Sequence, residues 1–342
     1  MKRLAVFADG TWNEPAQRDR GKAAPTNVVK LATAVRPADA GGVTQVAYYH
    51  EGVGENGSLW DRLSGGAFGT GISRNIQDIY RFLCINYAPG DEVWLFGFSR
   101  GAYTARSLAG LIRNCGLLKR ENLPRIGEAY ALYRDRTDDS SPSSDRARAF
   151  RDAWCWPDFG VHFIGVWDTV GALGIPVTPL RFWTKSLYEF HDVALSRTVR
   201  HAYQALAIDE RRKPFIPAVW QRQAGAPDTQ VLEQAWFPGV HCNVGGGYAD
   251  AGLSDGALLW MWDRAGKAGL ALDERQRPQS HADAKMEDSM TFYYRWLGDG
   301  RRPLGHEPTG AEGAHQTSLQ RSHYLPDNLR DFLATHPPTY AP

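Results

Sequence analysis

The chain has 342 residues, 43% of them hydrophobic and 23% charged, an ordinary globular composition for one large domain or two smaller ones. Its 39 Lys and Arg against 38 Asp and Glu give a formal net charge of +1, so no broad positive field exists to gather phosphate backbones, and nucleic-acid binding is not expected. The longest strongly apolar stretch, residues 257–262, falls far short of the ~20 residues that cross a bilayer.

The N-terminal MKRLAVFADGTWN has too short an apolar run for a secretory signal and predicts a first strand over residues 3–7. The protein is therefore expected to be cytoplasmic as synthesised, with any export left to a specialised secretion system. Further short apolar runs at 44–49, 92–96 and 161–166 are each followed by Gly, Asp or Ser and read as strands. Between them, Ile72, Ile76, Ile79, Tyr80 and Leu83 mark an amphipathic helix over 71–87. Ala102, Ala105, Leu108, Ala109 and Ile112 mark another over 100–115, stopped by Gly116. Residues 134–152, charged and Ser-rich, read as a surface excursion, and residues 273–288 form a second polar stretch. After Val170 prolines and aromatics break any long period, and residues 176–220 read as an inserted cap rich enough in aromatics to build an acyl pocket. The alternation predicts an α/β fold: a mostly parallel sheet flanked by helices, one domain over 1–342, with its chemistry at the carboxyl ends of the strands.

The sharpest motif is Gly97-Phe98-Ser99-Arg100-Gly101, directly after a predicted strand and directly before a predicted helix. That context lifts a serine clear of the sheet on a tight turn while flanking glycines let neighbouring backbone pass. Ser99 is the candidate nucleophile, and the Arg100 N–H at the helix start faces a developing oxyanion. The alternative for Ser99 is a helix cap in a glycine-rich turn. A nucleophilic serine needs a base held by a carboxylate. Among ten histidines, His241 stands in the loop Phe237-Pro238-Gly239-Val240-His241 ahead of three consecutive glycines, and Asp168 follows the strand at 161–166. The order Ser99, Asp168, His241 is that of an α/β-hydrolase. A second oxyanion donor is expected from the loop after the first strand, the Gly10 or Thr11 N–H, with Asp9 ordering that loop.

Gly52 to Gly57 matches the dinucleotide fingerprint, but the run up to Gly69 is too glycine-broken for the helix that fingerprint needs. His50, His162, His191 and His201 form no ligand-spaced cluster, and Cys84, Cys115, Cys155 and Cys242 lie far apart, so no metal and no cofactor are expected. A patatin-like Ser-Asp dyad is an alternative, prompted by Gly10, the GFSRG turn and Ser254-Asp255-Gly256-Ala257. A non-catalytic scaffold on a hydrolase fold is another.

Several ordered blocks resemble the α/β-hydrolase catalytic domain of type VI secretion phospholipase effectors: DGTWN at 9–13, YYHEGVG at 48–54, GTGISRNIQDIYRFL at 69–83, LFGFSRGAYTAR at 95–106, GVWDTVGALG at 165–174, HAYQALAIDERRKPFIPAVW at 201–220 and WFPGVHCNVGGGY at 236–248. Residues 301–335 are similar to that family's closing segment. The resemblance implies Ser99 as nucleophile, Asp168 as acid and His241 as base. It implies a serine hydrolase of carboxylic esters or lipids, with membrane phospholipid among the candidate substrates.

Overall fold

Strand β1 (Arg3–Ala8) is buried at all six positions, as a strand covered on both faces must be. The computed structural model describes residues 1–10, 13–52, 65–135, 137–170, 194–290, 299–307 and 309–336. It places β1 inside a seven-stranded sheet with β4 (Gln45–His50), β5 (Glu92–Phe98), β6 (Val161–Trp167), β8 (Val199–Ala207), β10 (Val231–Phe237) and β11 (Glu312–Ala314) in the order β11-β10-β8-β6-β5-β1-β4. Every pairing in this sheet is parallel. Two-residue strands pair off it, β2 (Arg18–Asp19) with β3 (Lys22–Ala23) and β7 (Ala194–Leu195) with β9 (Gln221–Arg222).

Parallel strands need crossovers, and their side chains alternate between the two helical layers. Leu4, Val6, Val93, Leu95, Ile164 and Val166 face one layer, against α2 (Gly65–Asn86), α3 (Arg100–Cys115), α4 (Ile126–Arg134) and α5 (Asp145–Trp154). Ala5, Phe7, Trp94, Phe96, Phe163 and Trp167 face the other, against α1 (Asn27–Ala34) and α7 (Gly252–Ala268), with the short α6 (His241–Gly245) above it. The aromatic members of the second face stack in sequence, Phe7 on Phe96 at 4.9 Å and Phe163 on Tyr203 at 5.1 Å between ring centroids. A third cluster, Leu206, Trp236, Leu304, Leu329 and Phe332, ties the C-terminal segment to the sheet edge.

The chain winds from β1 outward to β4 and then back past β1 to β5. The strand order therefore reverses between β1 and β5. The carboxyl ends on either side of such a reversal flank an open crevice. Residues 9–10 follow β1 and Ser99 follows β5, so both border it.

The structure departs from the sequence-based expectation at three places. α2 begins at Gly65, inside the glycine run expected to break a helix. Each glycine costs about 1 kcal/mol relative to alanine, too little to stop a helix whose later turns bury Ile72, Ile76, Ile79, Tyr80 and Leu83. The second half of the 134–152 excursion is α5, whose N-cap Ser144 accepts from the Ala147 N–H and which buries Ala147 and Phe150. Of the expected cap at 176–220, residues up to 193 lie outside the described residues, and 199–207 is a central strand of the sheet.

Candidate active site

Ser99 sits between β5 and α3 with φ 57° and ψ −119°, a conformation non-glycine residues rarely adopt. Two contacts hold it there. Its N–H donates to the Trp167 carbonyl at 3.1 Å, carrying the β5–β6 ladder one residue further, and its carbonyl accepts from the Tyr103 N–H in the first turn of α3. Its side chain makes no capping hydrogen bond to the helix, so the cap alternative does not explain the residue.

The flanking glycines explain how the turn closes. A Cβ on Gly101 would stand 2.6 Å from the Asp9 carbonyl oxygen and closer still to that of Ala8, and one on Gly97 would strike the Gly101 carbonyl. Gly101→Ala is therefore expected to cost about 3 kcal/mol of stability by overpacking against backbone that cannot yield. Gly127→Ala, at a helical position with open space around it, should be neutral or stabilising by up to about 1 kcal/mol. Urea unfolding midpoints of the two variants check the contrast.

Asp168 follows β6 as Ser99 follows β5, again with positive φ, 37°. Its N–H extends the β6–β8 ladder to the Ala205 carbonyl at 2.8 Å. The carboxylate is fully buried and accepts from four directions. Oδ2 takes His241 Nδ1 at 2.6 Å and Arg302 Nη2 at 2.9 Å, while Oδ1 takes the Ala207 N–H at 2.9 Å and Arg302 Nη1. Burial alone would raise the pKa of Asp168, but the Arg302 charge and these hydrogen bonds outweigh it and hold the carboxyl well below the usual range.

His241 opens α6, directly after the turn that leaves β10. Its backbone N–H donates to Glu210 Oε2 at 3.2 Å, and its ring is 4.5 Å from that of Phe98 and edge-on to that of Phe215 at 5.1 Å, centroid to centroid. Phe98 is the residue before Ser99, so the imidazole packs beside the segment that carries it. With Nδ1 committed to Asp168, Nε2 is the nitrogen left to accept a proton. Burial lowers the His241 pKa more than Asp168 raises it, so the neutral form of the ring is favoured.

The oxyanion donors divide. The Arg100 N–H stands at the first turn of α3, and Thr11 lies outside the described residues. Gly10 is beside Ser99, since a Cβ on it would be 3.2 Å from Ser99 Cβ. Its N–H, however, donates to Asp9 Oδ1 at 2.7 Å, which corrects the expectation that it points at substrate. Asp9 orders the loop: it also accepts from Thr26 Oγ1 at 2.6 Å, Tyr49 at 2.9 Å and Asn13 at 3.2 Å.

Two groups at this site escaped sequence reasoning. Glu210, fully buried, anchors the His241 backbone and accepts from Ser289 Oγ and from Arg212 Nε and Nη2. Burial would raise its pKa, but Arg212 brings it down to about 2. Its signal was the Asp209-Glu210-Arg211-Arg212 run inside a resembling block. Arg302 had no local signal, being one of two arginines in a polar loop. The rival residues lie elsewhere. Asp255 Oδ1 accepts from Lys30 Nζ at 2.6 Å rather than from a serine. His162 and His201 lie near the opening residues of β6 and β8, away from the carboxyl ends, with ring centroids 5.3 Å apart. His50 Nδ1 meets the Glu51 carbonyl, and His191 is outside the described residues. Among the described residues no group of three His, Cys, Asp or Glu side chains is placed to hold a metal ion.

Comparison with known proteins adds to this geometry. Residues 2–264 match the family model of the type VI secretion system phospholipase effector Tle1-like catalytic domain. An uncharacterised protein of Saccharomyces cerevisiae, YEL023C, is 29% identical over 233 residues, covering 63% of this chain and 32% of the yeast protein. The fold is similar to that of an uncharacterised Pseudomonas aeruginosa protein in a crystal structure, with a TM-score of 0.50 at 16% identity over 86% of this chain and 48% of that one. A Tle1 effector bound to the VgrG spike of the type VI secretion system aligns with a TM-score of 0.39 at 20% identity, over 74% of this chain and 52% of that one. The chain thus spans about a third of its yeast relative and about half of each solved neighbour.

Proposed function

The chain belongs to the Tle1-like catalytic-domain family of type VI secretion phospholipase effectors, and from that premise we propose that it hydrolyses carboxylic esters of lipids through Ser99, His241 and Asp168. The observations that carry this reading are the buried His241–Asp168 pair, 2.6 Å from Nδ1 to Oδ2, with the imidazole against the ring of Phe98, and the positive φ of Ser99, the next residue, between strand and helix. Ser99 Oγ attacks the ester carbonyl carbon while His241 Nε2 takes its proton. The Arg100 N–H and the positive end of α3 receive the oxyanion, and Thr11 is the remaining candidate for a second donor. Collapse of the tetrahedral intermediate expels the alcohol, which leaves with the proton from His241. Water, deprotonated by the same imidazole, then releases the acid from Ser99. Asp168 stays ionised throughout and stabilises the imidazolium.

An exposed apolar side chain near the site supports a lipid as substrate. Ile216 is 50% exposed and follows Phe215, whose ring meets His241 edge-on. Among the described residues no helix is long and apolar enough to cross a membrane. Delivery by a type VI secretion machine is part of the same proposal.

Wild type and Ser99→Ala assayed on p-nitrophenyl esters of rising chain length and on defined phospholipid in micelles test the reading. Fatty acid released from phospholipid by wild type alone is the expected result. Cleavage confined to short esters would retain the mechanism and overturn the lipid substrate, and turnover by both proteins would overturn the mechanism.

A further inference from the structure

Arg302 comes from the segment beyond residue 264, where the family match ends, yet it is 2% exposed and inserted beside Asp168. All four of its Nη hydrogens are used at this one place. Nη1 donates to Asp168 Oδ1 and to the Ala207 carbonyl at 2.9 Å, and Nη2 donates to Asp168 Oδ2 at 2.9 Å and to the Phe215 carbonyl. The backbone is pinned as well: Asn328 Nδ2 donates both to the Arg302 carbonyl at 3.3 Å and to the Ile208 carbonyl at 3.2 Å. The fork therefore ties together the carboxylate, the strand end at Ala207 and the backbone of the ring that faces His241.

This arrangement has an electrostatic consequence. In an isolated Asp–His pair, the carboxylate charge stabilises the imidazolium and raises the histidine pKa. Here the carboxylate is shared with the Arg302 guanidinium, a buried ion pair. The other charged groups around His241 are Glu210 and Arg212, which are paired with one another, and its titratable neighbour Cys242 is an uncharged thiol whose pKa burial pushes up to about 12.

We propose that Arg302 is a positioning residue for catalysis: its fork fixes the Asp168 carboxylate against His241 Nδ1 and offsets its charge, so that His241 acts as base at a lower pH than an unassisted pair allows. The inference rests on the Ser99–His241–Asp168 reading and can fail independently of it. It also makes the segment after residue 264 part of the working site.

The test is the rate at which a fluorophosphonate probe labels Ser99, followed across about pH 5 to 9, in wild type, Arg302→Met, Arg302→Lys, Ser99→Ala and His241→Ala. In Arg302→Met the acid limb should move up by about one pH unit and the plateau rate should fall at least ~10-fold. Arg302→Lys restores the charge without the fork, so its midpoint should stay with wild type while its plateau remains reduced. An Arg302→Met protein that is folded by thermal unfolding and keeps the wild-type midpoint would make Arg302 a structural ion pair only and overturn the proposal. Should that variant fail to fold, Arg302→Lys decides: a wild-type plateau or a shifted midpoint overturns the proposal. Labelling of Ser99→Ala at the wild-type rate would instead remove the triad reading itself.

Discussion

On the proposed mechanism Ser99→Ala is expected to lose ester hydrolysis by about 10⁴- to 10⁶-fold in kcat, because the Ser99 hydroxyl supplies the attacking oxygen. The same substitution leaves the fold at least as stable. Ser99 is held at φ 57° with no side-chain hydrogen bond to its helix, so its side chain contributes strain rather than a cap. Ser99→Gly relieves that strain and is expected to raise the stability by about 1 kcal/mol while remaining inactive. Urea unfolding beside an ester assay measures both halves. A less stable Ser99→Gly protein would mean that the turn is not strained at this residue.

Asp168→Asn combines a comparable loss of activity with the opposite effect on stability. Loss of the carboxylate removes the partner that fixes the His241 tautomer, which costs about 10⁴-fold in kcat. Each carboxylate oxygen now faces only donors: Arg302 Nη1 and the Ala207 N–H on one side, Arg302 Nη2 and His241 Nδ1 on the other. Whichever way an asparagine amide turns, its NH2 meets a donor. The guanidinium of Arg302 is left buried without a counter-charge, and breaking a buried pair in this way costs about 3–5 kcal/mol. The two site variants therefore separate clearly, Ser99→Ala inactive and stable, Asp168→Asn inactive and destabilised. An Asp168→Asn protein as stable as wild type would contradict the buried network around that carboxylate.

How far this was legible in the sequence depended on whether the signal was local. The turn at Gly97 to Gly101 announces itself, because strand, tight turn and helix all lie within a few residues and each leaves its own pattern. Gly116 marks the end of α3 for the same reason: its φ of 74° suits glycine, and its N–H closes back on the Ile112 carbonyl at 2.8 Å. The strands β8 and β10 did not announce themselves. VRHAYQALA and VLEQAWF carry Ala, Gln, Leu and Glu, residues at home in helices, and form strands because they pair within the sheet and are packed on both of its faces. Gln234 is tolerated in β10 because its amide is satisfied by the Trp220 backbone on both sides, N–H and carbonyl.

The pairing of Asp168 with His241 could be guessed from chain order, but the hand that holds it could not. Arg302 lies 134 residues from Asp168, and only the folded chain brings them together. The Gly10 donor failed for the opposite reason, since its partner is the residue immediately before it. An aspartate at a strand end captures the nearest amide, and a motif reading that assigns the amide to a substrate overlooks that competition.

The most direct measurement is mass spectrometry of the wild-type protein after reaction with a fluorophosphonate, with the modified peptide mapped. One adduct per chain, on Ser99 and absent from Ser99→Ala and His241→Ala, is the predicted result. An unlabelled folded protein, or an adduct on another serine that survives in Ser99→Ala, would contradict a nucleophile at the β5–α3 turn.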